Sequence, residues 1–259
     1  MDNSSYLQLV PTPVALVTGA NKGIGFEISR ILAESGIFVW LAGRDPARIQ
    51  TAATSLKKRG LSVDSVPLDV TDPKSVEAAA QHVQSVSGAL DILINNAGIV
   101  NEQRIDEAGK LQLIPPSQID LAMLRQTYET NVFGVFTVTK AFLPLLHKSA
   151  AGRIVNMSSG LGSLTQRSGP NSPYSAYNAL AYCSSKSAVN GVTVAFAIEL
   201  RDTPIKVNAA DPGYCATDLN AHSGPRTATQ GAEIAVRLAV LPTDGPTASY
   251  FDENGTVPW

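Results

Sequence analysis

The chain has 259 residues, 44% of them hydrophobic and 16% charged, and 20 basic against 22 acidic side chains leave a formal charge of −2. That apolar share fills a large core and excludes disordered or collagen-like chains. A phosphate-tracking surface needs a basic excess, so nucleic-acid binding is not expected; no apolar run reaches the ~18 residues of a membrane span, so no membrane partner is expected either.

The opening MDNSSYLQLVPTP lacks the basic start and long apolar stretch of a secretory signal and reads as a polar arm over residues 1–12. VALVT (14–18) is a short buried-strand run, and Ile24, Ile28, Ile31 and Leu32 follow at helical spacing. A second strand is expected over 37–42, then a helix from about Pro46, where proline suits the first turn and Asp45 the cap. A third strand covers 61–70, and Thr71-Asp72-Pro73 starts a helix that runs to about Val86. A fourth strand (90–98) breaks at a glycine, a long helical region spans 117–147, and a fifth strand covers 152–159. A helix over 178–200, a sixth strand over 204–213, a helix over 227–240 and a short strand near Ala248–Phe251 complete the series.

Strict strand–helix alternation predicts an α/β fold: a Rossmann-type, doubly wound parallel sheet of about seven strands with helices on both faces. No repeat or linker marks a boundary, so residues 1–259 are expected to form a single domain. Such sheets bind ligands at the carboxyl ends of their strands, near the switch in strand order. Glycine and small polar residues crowd those ends here, and three substrate loops leave from the same edge: 99–116, 160–177 and 214–225, the last a candidate lid.

Thr18-Gly19-Ala20-Asn21-Lys22-Gly23-Ile24-Gly25 joins the first strand to the first helix. Glycines there let bare backbone approach a ligand, and the helix start offers unpaired N–H groups to a pyrophosphate. Placed after the first strand of an alternating chain, the loop points to a dinucleotide rather than to an ordinary turn. An acid at the end of the second strand would grip an adenosine ribose and repel a 2′-phosphate, but Gly43-Arg44 stands there, with Lys22 nearby. Both cations suit the 2′-phosphate of NADPH, unless they are simply solvated surface charges. Asp45, directly after Arg44, is the feature that would favour a ribose hydroxyl instead.

Tyr182 and Lys186 lie four apart in a helical stretch and so share one face. A chain of this composition yields such a pair by chance about one time in four. Its neighbourhood carries more weight: Ser158-Ser159 ends the fifth strand, and Asn131 sits in the preceding helical region. Tyr174 and Tyr177 have no lysine four residues on and are read as pocket walls. His82, His147 and His222 are scattered, so no metal is expected. Cys183 and Cys215 match neither a disulfide framework nor a zinc spacing, which fits a reducing, cytoplasmic setting. Cys183 reads as a packing residue, Trp40 as part of a buried strand, Met123 and Met157 as core, and Trp259 as closing the pocket or packing.

Taken together, TGANKGIG (18–25), LDV (68–70), NNAG (95–98), NVFG (131–134), RIVNMSS (153–159), YCSSK (182–186) and DPGYCATDL (211–219) cover nearly the whole chain. In that order they resemble a classical short-chain dehydrogenase/reductase. Lys22 with Arg44, FLPLL (142–146) and the terminal VPW (257–259) are similar to its NADPH-dependent carbonyl reductase branch. The segment between Ser159 and Tyr182 is longer than in compact members and shorter than the insertion of the animal carbonyl reductases.

The resemblance implies a catalytic tetrad. Tyr182 would protonate the carbonyl oxygen, Lys186 would lower the phenol pKa and bond the nicotinamide ribose, Ser159 rather than Ser158 would hold the substrate oxygen, and Asn131 would keep a water in the proton relay. It also implies a cofactor site of Gly19, Asn21, Lys22, Gly23, Ile24, Gly25 and Arg44, adenine contacts at Asp69 and Val70, and a ribose edge at Asn96, Ala97 and Gly98. Pro212, Gly213 and Thr217 would meet the nicotinamide, and Asn95 would steady the sheet. Hydride arriving at a carbonyl puts negative charge on its oxygen, so donors must already face it. Bringing a phenol from ~10 to ~7 needs roughly 4 kcal/mol, which an ammonium and a positive nicotinamide ring would supply.

The expected activity is therefore NADPH-dependent reduction of a small-molecule ketone or aldehyde. Alternatives are a non-catalytic NADPH-sensing module, an alcohol or hydroxysteroid dehydrogenase, and a 3-oxoacyl-carrier ketoreductase. Relatives pair through the helices that here span about 117–147 and 178–200, while extra residues before Tyr182 can block that face, so monomer and homo-oligomer both stay open.

Overall fold

In the computed structural model, residues 12–105 and 111–259 are described. The arm expected over 1–12 lies outside them except for its last residue, as do residues 106–110 of the first substrate loop.

Strand β1 (Val14–Thr18) starts the sheet and leads through the glycine loop into α1 (Gly23–Glu34). Its Ala15, Leu16 and Val17 are all fully buried, because both faces of the sheet are covered. Alternation splits them: Ala15 and Val17 join one core with α1, while Leu16 joins another on the opposite face. Next come β2 (Phe38–Gly43), α2 (Pro46–Lys57), β3 (Val63–Pro67), α3 (Pro73–Ser87) and β4 (Ile92–Asn95). Pro46 and Pro73 occupy the first turns of their helices, capped by Asp45 and Asp72.

A two-stranded hairpin follows, β5 (Gln103–Ile105) with β6 (Leu111–Leu113), in a region expected to be irregular. The long helical region is three pieces: α4 (Leu121–Tyr128), a π-helical turn Glu129–Phe133, and α5 (Gly134–Leu146). The second half holds β7 (Arg153–Met157), α6 (Leu164–Ser168), α7 (Leu180–Glu199), β8 (Lys206–Ala210), α8 (Ala228–Ala239), β9 (Ser249–Asp252) and β10 (Gly255–Thr256).

The strand order is β10-β9-β8-β7-β4-β1-β2-β3. Seven strands run parallel, as expected; β10 adds an antiparallel edge because a tight turn returns the chain beside β9. Helices α1, α2 and α8 cover one face, and α3, α5 and α7 the other. Met157 lies in the first core, whereas Met123, expected there, is only half-buried on α4. No helix among the described residues is long and apolar enough to cross a membrane.

A buried polar ladder pins α5 and α7 to the middle of the sheet. Asn95 Nδ2 donates to Thr139 Oγ1 at 3.0 Å and to Asn156 Oδ1 at 2.8 Å, and Asn156 Nδ2 donates to Thr193 Oγ1 at 2.9 Å. At the opposite end of the strands, Arg153 is 3% exposed, and its guanidinium donates to the carbonyls of Leu241, Pro242, Gly152 and Pro204 at 2.7 to 3.3 Å. One planar fork thus joins two loops that no strand pairing connects. Replacing Arg153 by Met removes the fork that ties these two loops together and is expected to cost about 3 kcal/mol. A urea midpoint equal to that of the unmodified chain would contradict this.

Candidate active site

Strands β1 and β4 are neighbours, and the chain departs from them towards opposite edges of the sheet. That reversal opens a crevice at their carboxyl ends. Thr18, at the end of β1, closes its floor: its Oγ1 accepts from Asn96 N at 2.9 Å and Ala97 N at 3.0 Å. Asn96 Nδ2 returns bonds to Thr18 O at 2.9 Å and Gly19 O at 3.3 Å, so this side chain holds the glycine loop in place.

Gly19 and Gly23 have φ of +65° and +58°. At Gly25 a Cβ would stand 2.4 Å from Asn96 Nδ2 and 2.6 Å from Gly19 O, so the helix meets the loop with no space for a side chain. Helix α1 starts at Lys22 without a side-chain cap, which leaves its first N–H groups available. Ile24 packs beside the first core, and Asn21 stands half-buried in the loop.

Arg44 is exposed at the end of β2. Asp45 caps α2 by accepting from Ala47 N at 3.0 Å and Arg48 N at 3.1 Å. Lys22 forms an ion pair with Asp218, whose other oxygen accepts from His222 Nε2 at 2.8 Å. The 214–225 loop is therefore folded down on the glycine loop, with Thr217 beside Gly23. Asp69 accepts from the Thr71 amide and hydroxyl at 3.0 and 2.8 Å, and Val70 lies where a Cβ on Gly134 would reach within 2.9 Å. Pro212 and Gly213 turn at the end of β8, where Gly213 has φ +72° and donates its amide to Asp211 Oδ1 at 2.9 Å.

The four residues expected to act together meet at this crevice. A Cβ on Gly98 would lie 3.4 Å from Asn131 Oδ1 and 3.6 Å from Lys186 Nζ. Lys186 Nζ donates to Met157 O at 2.7 Å and stands 5.6 Å from the centre of the Tyr182 ring. The Ser159 hydroxyl lies near enough to the Tyr182 phenol to lower its pKa. Asn131, in the π-helical turn, donates Nδ2 to Ile99 O and to Ser185 Oγ at 3.0 Å each, and Ser185 Oγ donates to Tyr182 O at 2.7 Å. Ser158 points elsewhere, donating to Asn190 Oδ1 at 2.6 Å, so Ser159 faces the phenol.

Tyr182 sits in an apolar cluster with Ala179 and Cys183, against which Val100, Leu113, Leu161 and Tyr177 pack. Tyr174 lies over Gly160, at the entrance to the serine loop. Trp259 stacks on Tyr250 with ring centroids 5.6 Å apart, which is a packing role.

Burial raises the Tyr182 phenol above its ordinary range, and the nearby Ser159 hydroxyl pulls it partway back. The same burial brings Lys186 down to about 8. Dryness thus opposes charge on both partners.

Two buried carboxylates escaped the sequence reading. Asp211 is 8% exposed beside Gly160 and Gly213, and burial pushes its carboxyl up. Glu102 is 0% exposed and accepts from the amides of Ala181 and Tyr182. Only the DPG run flagged the first; nothing near Glu102 distinguishes it from a solvated loop acid.

The sequence model described as short chain dehydrogenase matches residues 13–228. The short-chain dehydrogenase anuI of Penicillium roqueforti (strain FM164) is 36% identical over 259 residues, covering 96% of this chain and 97% of that protein. Carbonyl reductase (NADPH) 1 of Mus musculus is 33% identical over 297 residues, covering 95% and 98%. The NADPH-bound carbonyl reductase from chicken fatty liver matches in three dimensions with a TM-score of 0.81 at 29% identity, covering 96% of this chain and all (100%) of that one.

The glycine positions make a paired test. Gly25→Ala forces backbone apart and is expected to cost about 2 kcal/mol. Gly191→Ala, on α7 with nothing within 4 Å, is expected to add up to ~1 kcal/mol through helix propensity. Thermal unfolding of both variants measures this, and equal shifts would refute the close contact.

Proposed function

Because the chain belongs to the short-chain dehydrogenase family, an oxidoreductase family, we propose that it reduces the carbonyl of a ketone or aldehyde with NADPH, using Tyr182 as the acid. The observation that carries this reading is a buried phenol with Ser159 near it and the Lys186 side-chain nitrogen 5.6 Å from the centre of its ring.

The residues present fit a nicotinamide dinucleotide. Gly19 and Gly23 take positive φ and Gly25 leaves no space for a side chain, so the loop presents bare backbone at an uncapped helix start suited to a pyrophosphate. Asp69, Val70, Ala97 and Gly98 would flank the adenosine, and Pro212, Gly213 and Thr217 the nicotinamide end. Arg44 supports NADPH over NADH, since Asp45 is committed to the start of α2 and Lys22 is shared with Asp218. When bound, the cofactor supplies the hydride.

The chain's own residues handle the proton. Ser159 and Tyr182 donate hydrogen bonds to the carbonyl oxygen and stabilise the charge that develops there. Tyr182, held protonated by burial, gives up its proton to that oxygen. Lys186 offsets the phenolate left behind, and Asn131 holds the turn that carries Tyr182 through Ser185. The apolar wall of Val100, Leu113, Leu161 and Tyr177 excludes water and favours an uncharged substrate.

Absorbance of NADPH across a panel of ketones and aldehydes tests the activity. Tyr182→Phe is expected to lose turnover by about 10²- to 10⁴-fold while still binding NADPH; near-normal turnover would remove Tyr182 from its role. Arg44→Ala is expected to weaken NADPH about tenfold and leave NADH unchanged, and an equal effect on both would remove the phosphate contact. Lys186 is charged below about 8 and neutral above it. The kcat/KM for reduction should therefore hold steady at acid pH and fall as pH rises through that value; a fall in the acid direction would contradict the assignment.

A further inference from the structure

The residues after Gly98 are fastened one after another. Ile99 donates its amide to Asn131 Oδ1 at 2.8 Å and takes Asn131 Nδ2 on its carbonyl. Asn101 Nδ2 donates to Met123 O at 3.3 Å and Gln126 Oε1 at 3.0 Å, and its Oδ1 accepts from the Thr127 hydroxyl at 2.7 Å. Glu102 then accepts from Ala181 N on Oε2 at 2.9 Å and from Tyr182 N on Oε1 at 2.7 Å. Ile114 N donates to Glu102 O at 3.0 Å, so the chain leaving the β5–β6 hairpin closes on the same residue.

Helix α7 begins at Ala179, which offers no side-chain acceptor. Serine or aspartate at that position would satisfy the first amides locally. Here the acceptor comes from 80 residues earlier in the chain and is fully buried. Burying a carboxylate is costly even when hydrogen-bonded. What the remote group adds over a local one is a tie: the height of Tyr182 depends on the strap 99–102, which is itself bonded to Asn131 and α4. Val100, two residues before Glu102, and Leu113, next to Ile114, also pack on the small cluster of Ala179, Tyr182 and Cys183.

We propose that Glu102 is a positioning residue for the proton donor, holding Tyr182 in register with Asn131 and with the apolar wall of the pocket. The inference rests on the reading of Tyr182 as the acid. Its loss slows turnover more than it weakens dinucleotide binding, because the glycine loop and Arg44, which hold the pyrophosphate and the 2′-phosphate in that reading, lie on other elements.

Two variants test it. Glu102→Gln turns an NH2 towards a backbone N–H and loses one of the two bonds; Glu102→Asp keeps the charge one methylene short and serves should the first not fold. Each is also combined with Ala179→Ser, which gives the same amides a local acceptor. The measurements are kcat and KM with the best ketone of the panel, NADPH affinity by fluorescence, and Tm. Turnover is expected to fall about tenfold or more, as for other small misplacements of a reacting group, with NADPH affinity within about twofold of the unmodified chain. Ala179→Ser is expected to restore Tm but not kcat.

Unmodified turnover in both single variants overturns the proposal. So does recovery of kcat together with Tm, which would make Glu102 a helix cap only, or NADPH affinity falling in step with kcat. Tyr182→Phe is measured alongside. Turnover surviving in that variant overturns the acid reading; turnover lost there but unchanged in the Glu102 variants overturns the positioning role alone.

Discussion

Tyr182 is 9% exposed and Lys186 5%, and this shared dryness constrains everything the site can do. Burial disfavours phenolate and ammonium alike, so the ground state of the pair tends towards a protonated phenol beside a weakly basic amine. The fold enforces that state by close packing. Gly162 lets the serine loop approach until a Cβ would stand 2.9 Å from the Lys186 backbone, and the hairpin side supplies Val100 and Leu113. In the proposed reaction, a phenol that holds its proton tightly would give it only to an oxygen acquiring full negative charge, which would couple proton delivery to reduction of the carbonyl.

The cation side of the crevice follows a different logic. Asp45 sits directly after Arg44, and in sequence either could decide the cofactor. Helix geometry separates them: the carboxylate that accepts from Ala47 N and Arg48 N is turned towards its own helix, while Arg44 is exposed at the end of β2. Lys22 is drawn the other way, to Asp218 on the 214–225 loop. A loop expected to move is thus held over the glycine turn by a charge pair at the surface, where such pairs contribute little and exchange partners readily.

Much of the architecture was legible because it is written in short-range pattern. Ala15, Leu16 and Val17 read as a doubly buried strand, and Pro46 with Asp45 reads as a capped helix start. Where the chain departs from a regular period, the reading failed. The break of the 117–147 helix into α4, a π-helical turn and α5 leaves no mark on apolar spacing, since one extra residue in a turn shifts the face only slightly. The strands of the β5–β6 hairpin are three residues each, too short for alternation to announce them.

The candidate site divides along the same line. The sequence by itself determined the alternation that makes a doubly wound sheet, the glycines that let α1 approach β1, and the shared helical face of residues 182 and 186, because each is a property of contiguous residues. Only the tertiary structure decided that Ser159 and not Ser158 meets the phenol, that Asn96 braces the glycine loop, that Lys22 belongs partly to Asp218, and that a carboxylate from position 102 caps the helix of Tyr182. Those outcomes depend on side chains brought together across tens to hundreds of residues, and on how far each is removed from water, neither of which local spacing encodes.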